Sequence, residues 1–289
     1  MTWVNAVVQG VLLGGLYALV AAGLSLVFGV MRIVNLAHGV LAVLAAYAAL
    51  VLGRELGVHP FVALLLVVPL MAAVGYLLQR GLLDRALRGG ELAPLLVTFG
   101  LAIVLQNVLL EVFSADNQRL SVGALGTSGV RLADGLSVGW FPLLAALAGV
   151  TVIAGLGQFL ARTRTGRAMR AASDDPEAAR LMGVDDRRLY AVATAIALGT
   201  VAVAGVFLGV RSTFDPSAGA TTLIFAFEAV VIGGLGSLWG TLAGGVVLGV
   251  AQALGAQVDP AYGVLAGHLV FLAVLAVRPR GLFPAAVTA

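Results

Sequence analysis

The chain contains no cysteine and no lysine, and it has few charged residues of any kind. The absence of cysteine excludes a disulfide framework and a thiolate metal site, and leaves the redox compartment open. Charged residues are 11% of the 289 residues, whereas soluble domains carry roughly 25%. Apolar residues are 61% and run continuously instead of alternating with polar ones. We therefore predict an all-α integral membrane protein, because apolar runs of about 20 residues fit helical spans.

The apolar runs predict a polytopic bundle of about eight or nine spans, with boundaries accurate to a few residues. No long linker and no convincing internal repeat is visible, so we predict one membrane domain over 1–289. The candidate spans are 3–29, 33–53, 60–79, 92–113, 138–161, 189–211, 222–254 and 261–278.

Arginine placement predicts which loops lie in the cytoplasm, because cytoplasmic loops retain basic residues. The stretch 162–188 holds seven of the 17 basic residues and is assigned to that side. Basic residues do not line one stripe, which argues against a nucleic-acid surface. If 222–254 were one long tilted helix, the arginines after 277 would fall outside, against the rule. We prefer two short or re-entrant helices meeting within 222–254, since this segment would be about 50 Å long as one helix and the bilayer core is about 30 Å thick.

Glycines recur at four-residue spacing around that predicted break. Such spacing puts small residues on one helix face, so that neighbouring backbones approach closely. No phosphate-binding loop motif is present. We interpret these glycines as packing or hinge positions: Gly233, Gly234, Gly236, Gly240 and Gly244.

The polar stretch 162–188 predicts one short helix of about two turns between arginine-rich arms. Asp175 can cap it, Pro176 suits the first helical position, and Glu177 suits the positive end of the helix dipole. Gly183 is a typical stop.

Asn35 and His38 lie at a predicted helix junction, three residues apart. They line a solute path or brace a broken helix, or else they cap a helix end; no metal site is predicted for His38. Gln106 and Asn107 lie inside a span, where amides either serve a solute or bond neighbouring helices.

Glu228 is the sharpest single candidate, because a carboxylate inside a span is costly. It either attracts a solute ammonium group, pairs with Arg211, or lies at the outer surface. We interpret His59 and His268 as structural.

Five stretches resemble, in order, the branched-chain amino acid ABC transporter permeases of the smaller type. The VNLAHG block at 34–39 and the GGLGS block at 233–237 are the most specific, and EAAxxxG at 177–183 is similar to the loop signature of ABC importer permeases. Two features depart from the family pattern: no Ile-x-Leu-Pro follows the loop, and Glu228 appears where a Lys-Ala-Phe commonly precedes GGLGS. The stretches are 15–39, 95–107, 165–185, 229–245 and 278–283.

The resemblance implies a multi-pass permease in a bacterial or archaeal cytoplasmic membrane that is not itself an enzyme. It implies partners: ABC ATPase subunits that use ATP and Mg, a second permease that is related but different, an extracytoplasmic solute-binding protein, and membrane lipid. No cofactor or metal is expected on this chain. The 162–188 loop would carry a coupling helix for the ATPase, with these residues: Arg167, Asp175, Glu177, Ala178, Ala179 and Gly183.

The implied solute is a branched-chain amino acid, with an amide or urea as the alternative. The candidate solute path, chosen for polar side chains within the spans, comprises Asn35, His38, Gln106, Asn107 and Glu228. A stand-alone channel or ion-coupled carrier would need an intramembrane relay, for which only Glu228 and His268 are available. An intramembrane enzyme is disfavoured because no paired carboxylates and no His-Glu-x-x-His motif occur in the spans.

Overall fold

The computed structural model describes residues 3–90, 92–133 and 136–283, which form a helical bundle. The long helices begin and end close to the predicted spans, which confirms the all-α membrane fold class. A π-helical turn at Gln79–Leu83 and a 3-10 turn at Leu87–Gly89 extend α3. The helices are α1 Trp3–Met31, α2 His38–Leu56, α3 Pro60–Leu78, α4 Asp84–Ala86, α5 Ala93–Phe113, α6 Trp140–Arg162, α7 Arg164–Asp174, α8 Pro176–Leu181, α9 Asp186–Arg211, α10 Ala218–Gly233, α11 Leu238–Val258 and α12 Tyr262–Val277.

Seven helices in the described ranges are long and apolar enough to cross a membrane, and α10 and α12 are shorter apolar helices of 16 residues each. Together they agree with the eight or nine predicted spans. The core lies around α1 and α9, whose faces are buried along most of their lengths.

The two ends of the bundle are distinguished by what caps them. One end, called here the loop end, carries α7 and α8; Ser173 of α7 donates a hydrogen bond to the Gly29 carbonyl near the end of α1. The opposite end carries an antiparallel hairpin of β1 Gly129–Ala133 and β2 Leu136–Gly139. Gln9, near the start of α1, donates to the Ser137 carbonyl of β2. The sequence did not predict this hairpin.

The predicted break in 222–254 is confirmed. The segment is two helices, α10 and α11, and Gly234 and Gly236 between them have φ values of +110° and +79°. The two helices return on each other so closely that a Cβ on Gly244 would lie 2.1 Å from the Ala229 carbonyl oxygen. The chain then leaves α12 at the loop end, where the Leu282 amide donates to the Ile232 carbonyl. The arginines after α12 therefore lie on the same side as the 162–188 stretch, as the rule for basic residues requires.

The helix boundaries reveal a repeat that the sequence did not show. Met31 and Arg211 end α1 and α9, and His38 and Ala218 begin α2 and α10; both pairs are 180 residues apart. The third helices, α3 and α11, also end 180 residues apart. Because α1 runs towards the loop end and α9 runs away from it, the two units have opposite orientations, as in many transporters built from inverted repeats.

The loop 162–188 differs from its prediction in one respect. The short helix is present as α8, but the arm before it is also helical, as α7. Thr163 caps α7 by accepting a hydrogen bond from the Gly166 amide. Met169 and Ala172 of α7 are buried, so this arm packs against the bundle as an amphipathic helix instead of extending into water.

Candidate solute path and coupling helix

The turn before α2 lies deep inside the bundle. His38 Nε2 donates to the Val20 carbonyl at 2.7 Å, and Val20 is eleven residues before the end of α1, or about 16 Å from it. Asn35 Oδ1 accepts from the Ala37 amide at 3.0 Å. Both side chains are 1% exposed. The span predicted to start at 33 therefore starts at 38, because residues 32–37 carry the chain back into the bundle without helix.

The corresponding turn before α10 has the same backbone pattern. Asp215 Oδ1 accepts from the Ser217 amide at 2.6 Å, as Asn35 does from Ala37. The two turns bring the starts of α2 and α10 into contact, and a Cβ on Gly39 would lie 1.9 Å from the Gly219 carbonyl oxygen. Two discontinuous helices thus begin against each other in the middle of the bundle, which is where repeat-built transporters place their solute sites.

The turn before α10 is open on one side, unlike the turn before α2. Ser217, Ala220 and Thr221 are exposed, and Ile224 is 48% exposed. A helix start at membrane depth is tolerated where it is covered by protein or lines a water-filled cavity. The exposed face of α10, from Ser217 to Phe225, is the candidate path face.

Glu228 is buried between α10 and α12, and not at the outer surface. Its Oε1 is hydrogen-bonded to Nδ1 of His268, which was interpreted only as structural from the sequence. Its other oxygen, Oε2, has no hydrogen-bond partner in the described ranges. Arg211, the partner considered from the sequence, lies near the Tyr17 hydroxyl, and the ion pair that Glu228 forms is with His268.

Tyr17 and Gln252 extend this polar cluster, and sequence reasoning missed both. Tyr17 donates to Gln252 Oε1 across α1 and α11. Gln252 Nε2 is buried without a hydrogen-bond partner among residues 3–90, 92–133 and 136–283. The only signal in the sequence was a polar residue inside an apolar run, which does not say what it faces.

Gln106 and Asn107 lie on α5, away from this cluster. Asn107 is exposed, and its Nδ2 donates to the Ile103 carbonyl of its own helix at 2.8 Å. Gln106 is partly buried. The structure does not bring either amide to the turns or to Glu228, so their role in a solute path stays a prediction.

Of the glycines predicted as packing or hinge positions, Gly233, Gly240 and Gly244 lie at the close crossing of α10 and α11, and Gly234 and Gly236 lie in the turn between these helices. A Cβ on Gly233 would be 2.1 Å from the Gly240 carbonyl oxygen, and one on Gly240 would be 2.4 Å from that of Gly233. A second crossing joins α1 to α11, where a Cβ on Gly14 would be 2.6 Å from the Gly245 carbonyl oxygen. Contacts this close require residues without side chains, which supports packing; hinge motion stays a prediction.

The short helix α8 has the ends that its sequence predicted. Asp175 Oδ1 accepts from the amides of Glu177 and Ala178, each at 3.0 Å. Gly183 adopts a φ of +81° just after the helix. Ala179 is buried against the bundle and Glu177 is exposed.

The joint between α8 and α9 is held by an ion pair. Arg180 Nε donates to Asp186 Oδ2 at 2.9 Å, and this hydrogen bond raises the pKa of Arg180. Arg167 of α7 is exposed and donates to the Arg162 carbonyl at 3.0 Å.

Two large apolar side chains project from the end of α8. Leu181 is 88% exposed and Met182 is 85% exposed. Their position at the loop end, beside seven arginines of the 162–188 stretch, is unlike that of a lipid-facing leucine. Leu181 and Met182 thus form an exposed apolar tip at the end of α8.

The bundle combines inverted repeats, two helices that begin at mid-depth and a projecting short helix. These are features of membrane permeases. The family model described as "Branched-chain amino acid transport system / permease component" matches residues 6–276. The chain belongs to this family of transport permeases.

Curated relatives agree over nearly the whole chain. The high-affinity branched-chain amino acid transport system permease protein BraD of Pseudomonas aeruginosa is 32% identical over 97% of this chain and 95% of its own. LivH of Escherichia coli K12, which carries the same description, is 30% identical over 95% of this chain and 93% of its own. A solved structure titled "PsaBC from Streptococcus pneumoniae in complex with Fab" covers 97% of this chain and 93% of its own at 16% identity and a TM-score of 0.47, a likeness too loose to add to the assignment.

Proposed function

We propose that this chain is one of two permease subunits of an ATP-driven ABC importer for branched-chain amino acids in a bacterial or archaeal cytoplasmic membrane. The family membership supports the transport class, and the relatives' descriptions support the solute. The observation that carries the ATP-driven part is α8 with its exposed tip, Leu181 and Met182, at the loop end.

In this proposal the chain hydrolyses nothing and binds no cofactor. ABC ATPase subunits use ATP and Mg at the loop end, which is then cytoplasmic. A related but different second permease completes the pore, an extracytoplasmic binding protein delivers the solute to the opposite end, and lipid surrounds the remaining helices.

Coupling requires that ATP and solute favour different conformations of the permease pair. Closing of the ATPase dimer would move α8, and the Arg180–Asp186 pair would pass the movement to α9. Because α9 leads into the turn before α10, the path face of α10 would then be exposed alternately to the two sides of the membrane.

The first test is solute uptake by a strain from which the gene has been deleted, with and without the chain restored. We expect ATP-dependent uptake of labelled leucine, isoleucine and valine only in the restored strain. Restored uptake of urea or an amide, and not of leucine, would favour the same machine with another solute. Uptake that persists without an ATPase partner would favour a stand-alone carrier.

The second test concerns α8. The double variant Leu181→Ser/Met182→Ser should fold normally, because both side chains are exposed, yet lose binding to the ATPase and leucine-dependent ATP hydrolysis. Val258→Ser is the matched control, since Val258 is 69% exposed at the opposite end of the bundle. Glu177→Ala combined with Gly183→Pro should instead leave ATP hydrolysis in place and uncouple it from leucine uptake. Unchanged uptake in both coupling variants would refute docking through α8.

A further inference from the structure

His268 faces the outside of the bundle from the middle of an otherwise apolar helix. It is the seventh residue of α12, and its side chain is 39% exposed. Turning an imidazole towards hydrocarbon at this depth is costly, and polar residues inside spans usually face a partner or a path. The exposed side of His268 is therefore expected to meet protein or a water-filled path, and not lipid.

Glu228 lies on the buried side of this ring, and its hydrogen bond to Nδ1 fixes the orientation of the imidazole. The arrangement proposed below has Glu228 ionised, so that its Oε1 accepts a hydrogen bond from Nδ1 of His268. Nε2 lies across the ring from Nδ1, and it can donate only when His268 is the doubly protonated imidazolium, a form that a neighbouring carboxylate favours. Glu228 is only 4% exposed and its Oε2 is unpartnered within the described residues, and such a costly buried carboxylate is easier to explain as a positioning device than as packing.

The path face of α10 leads from the helix start to this pair. Phe225 packs on the His268 ring with centroids 6.2 Å apart and planes 20° from parallel. Phe225 follows Thr221 by one helical turn, and Thr221 is exposed near the start of α10. The Nε2–H of an imidazolium paired with a carboxylate is a charge-assisted donor, and the Phe225 ring offers an apolar surface beside it.

A carboxylate next to an apolar side chain is the ligand chemistry that fits this donor and this ring. We propose that His268 contacts the α-carboxylate of the solute on the path face of α10, and that Glu228 is the positioning residue that holds the imidazole for this contact. The inference rests on the proposed function, because it requires an amino-acid solute.

The test is binding of tritiated leucine to the full permease–ATPase complex in lipid nanodiscs, without binding protein. Two competitors separate the ends of the solute: 4-methylpentanoate keeps the carboxylate and lacks the ammonium group, and leucinamide keeps the ammonium group and lacks the carboxylate. In the wild-type complex 4-methylpentanoate should compete about tenfold better than leucinamide, as expected for one charge-assisted hydrogen bond. His268→Ala should weaken leucine binding about tenfold and abolish the difference between the competitors.

Conservative variants keep the inference testable if His268→Ala fails to assemble. His268→Gln retains an N–H donor without charge and should keep part of the competitor difference. Glu228→Gln should reduce the difference although the residue never touches the solute, an effect that a purely structural role would not produce in a complex of unchanged melting temperature. His59→Asn is the matched control, because His59 is an exposed histidine that caps α3 and should leave binding unchanged.

The outcomes separate this inference from the proposed function. A wild-type complex that neither binds nor imports leucine refutes both. Leucine import without measurable binding, or an unchanged competitor difference in assembled His268→Gln and Glu228→Gln complexes, overturns the inference alone.

Discussion

The turn before α2 and the turn before α10 have the same backbone pattern and opposite surroundings. Asn35 and Asp215 each accept a hydrogen bond from the amide two residues later. Asn35 and His38 are 1% exposed, whereas Asp215 is partly buried and Ser217 is exposed. The first turn is sealed by α1 and α5, and the second is open along one face.

This difference teaches that inverted repeats need not contribute equally to a site. His38 is buried and hydrogen-bonded to α1, so we expect the first turn to have a structural role. The second turn opens onto the path face, and the His268–Glu228 pair lies further along the same helix. The following predictions test whether the two turns differ as described, ordered by their expected effect on stability.

The largest effect is expected where the two turns touch. Gly39→Ala should destabilise the protein by about 3 kcal/mol, because the new methyl group would overlap the Gly219 carbonyl and backbone cannot move aside easily. Gly100→Ala is the control, since a Cβ there meets nothing within 4 Å and should be neutral or slightly stabilising. Thermal unfolding in detergent measures both; equal melting temperatures would show that the turns do not pack as described.

The sealed turn should be more sensitive to side-chain loss than the open turn. His38→Ala removes a hydrogen bond and leaves a cavity, and should cost about 2 kcal/mol. Ser217→Ala, at the exposed turn, should change stability by about 0.5 kcal/mol or less. Denaturation of the two purified variants gives the comparison, and a larger loss for Ser217→Ala would reverse it.

The last prediction is the most direct test of access, and it uses the labelling of introduced cysteines. The chain has no cysteine, so Thr221→Cys and Leu41→Cys each provide the only thiol of the chain at corresponding positions of the two repeats. A water-soluble thiol reagent should label Thr221→Cys and spare Leu41→Cys, because Leu41 is 1% exposed. Protection of both in the full complex would argue against a water-filled path along α10.

Local patterns were enough to predict much of the fold. Asp175, Pro176 and Gly183 predicted α8, and the glycines around 233–237 with the arginine parity predicted the break between α10 and α11. Helix ends depend on capping and backbone conformation, which are local properties. The helical arm α7 was missed because its buried face becomes apparent only against the bundle.

The candidate site was only partly predictable. Asn35, His38 and Glu228 were identified as polar residues in apolar runs, but not as one sealed turn and one buried carboxylate. Tyr17 and Gln252 were missed, and His268 was interpreted only as structural. Their partners lie on other helices, at sequence separations such as the 40 residues between Glu228 and His268, and no local pattern encodes such a pairing.

The sequence by itself determined the membrane class, the order of the helices, the capped helix α8 and the family, because apolar length, charge placement and short motifs act within one segment. Tertiary structure alone decided that the helices form inverted repeats, that α2 and α10 begin at mid-depth, and which polar groups are sealed and which are accessible. The physical reason is that exposure inside a membrane bundle depends on which neighbour covers each face. That depends on how distant helices pack, through glycine crossings such as Gly39 against Gly219.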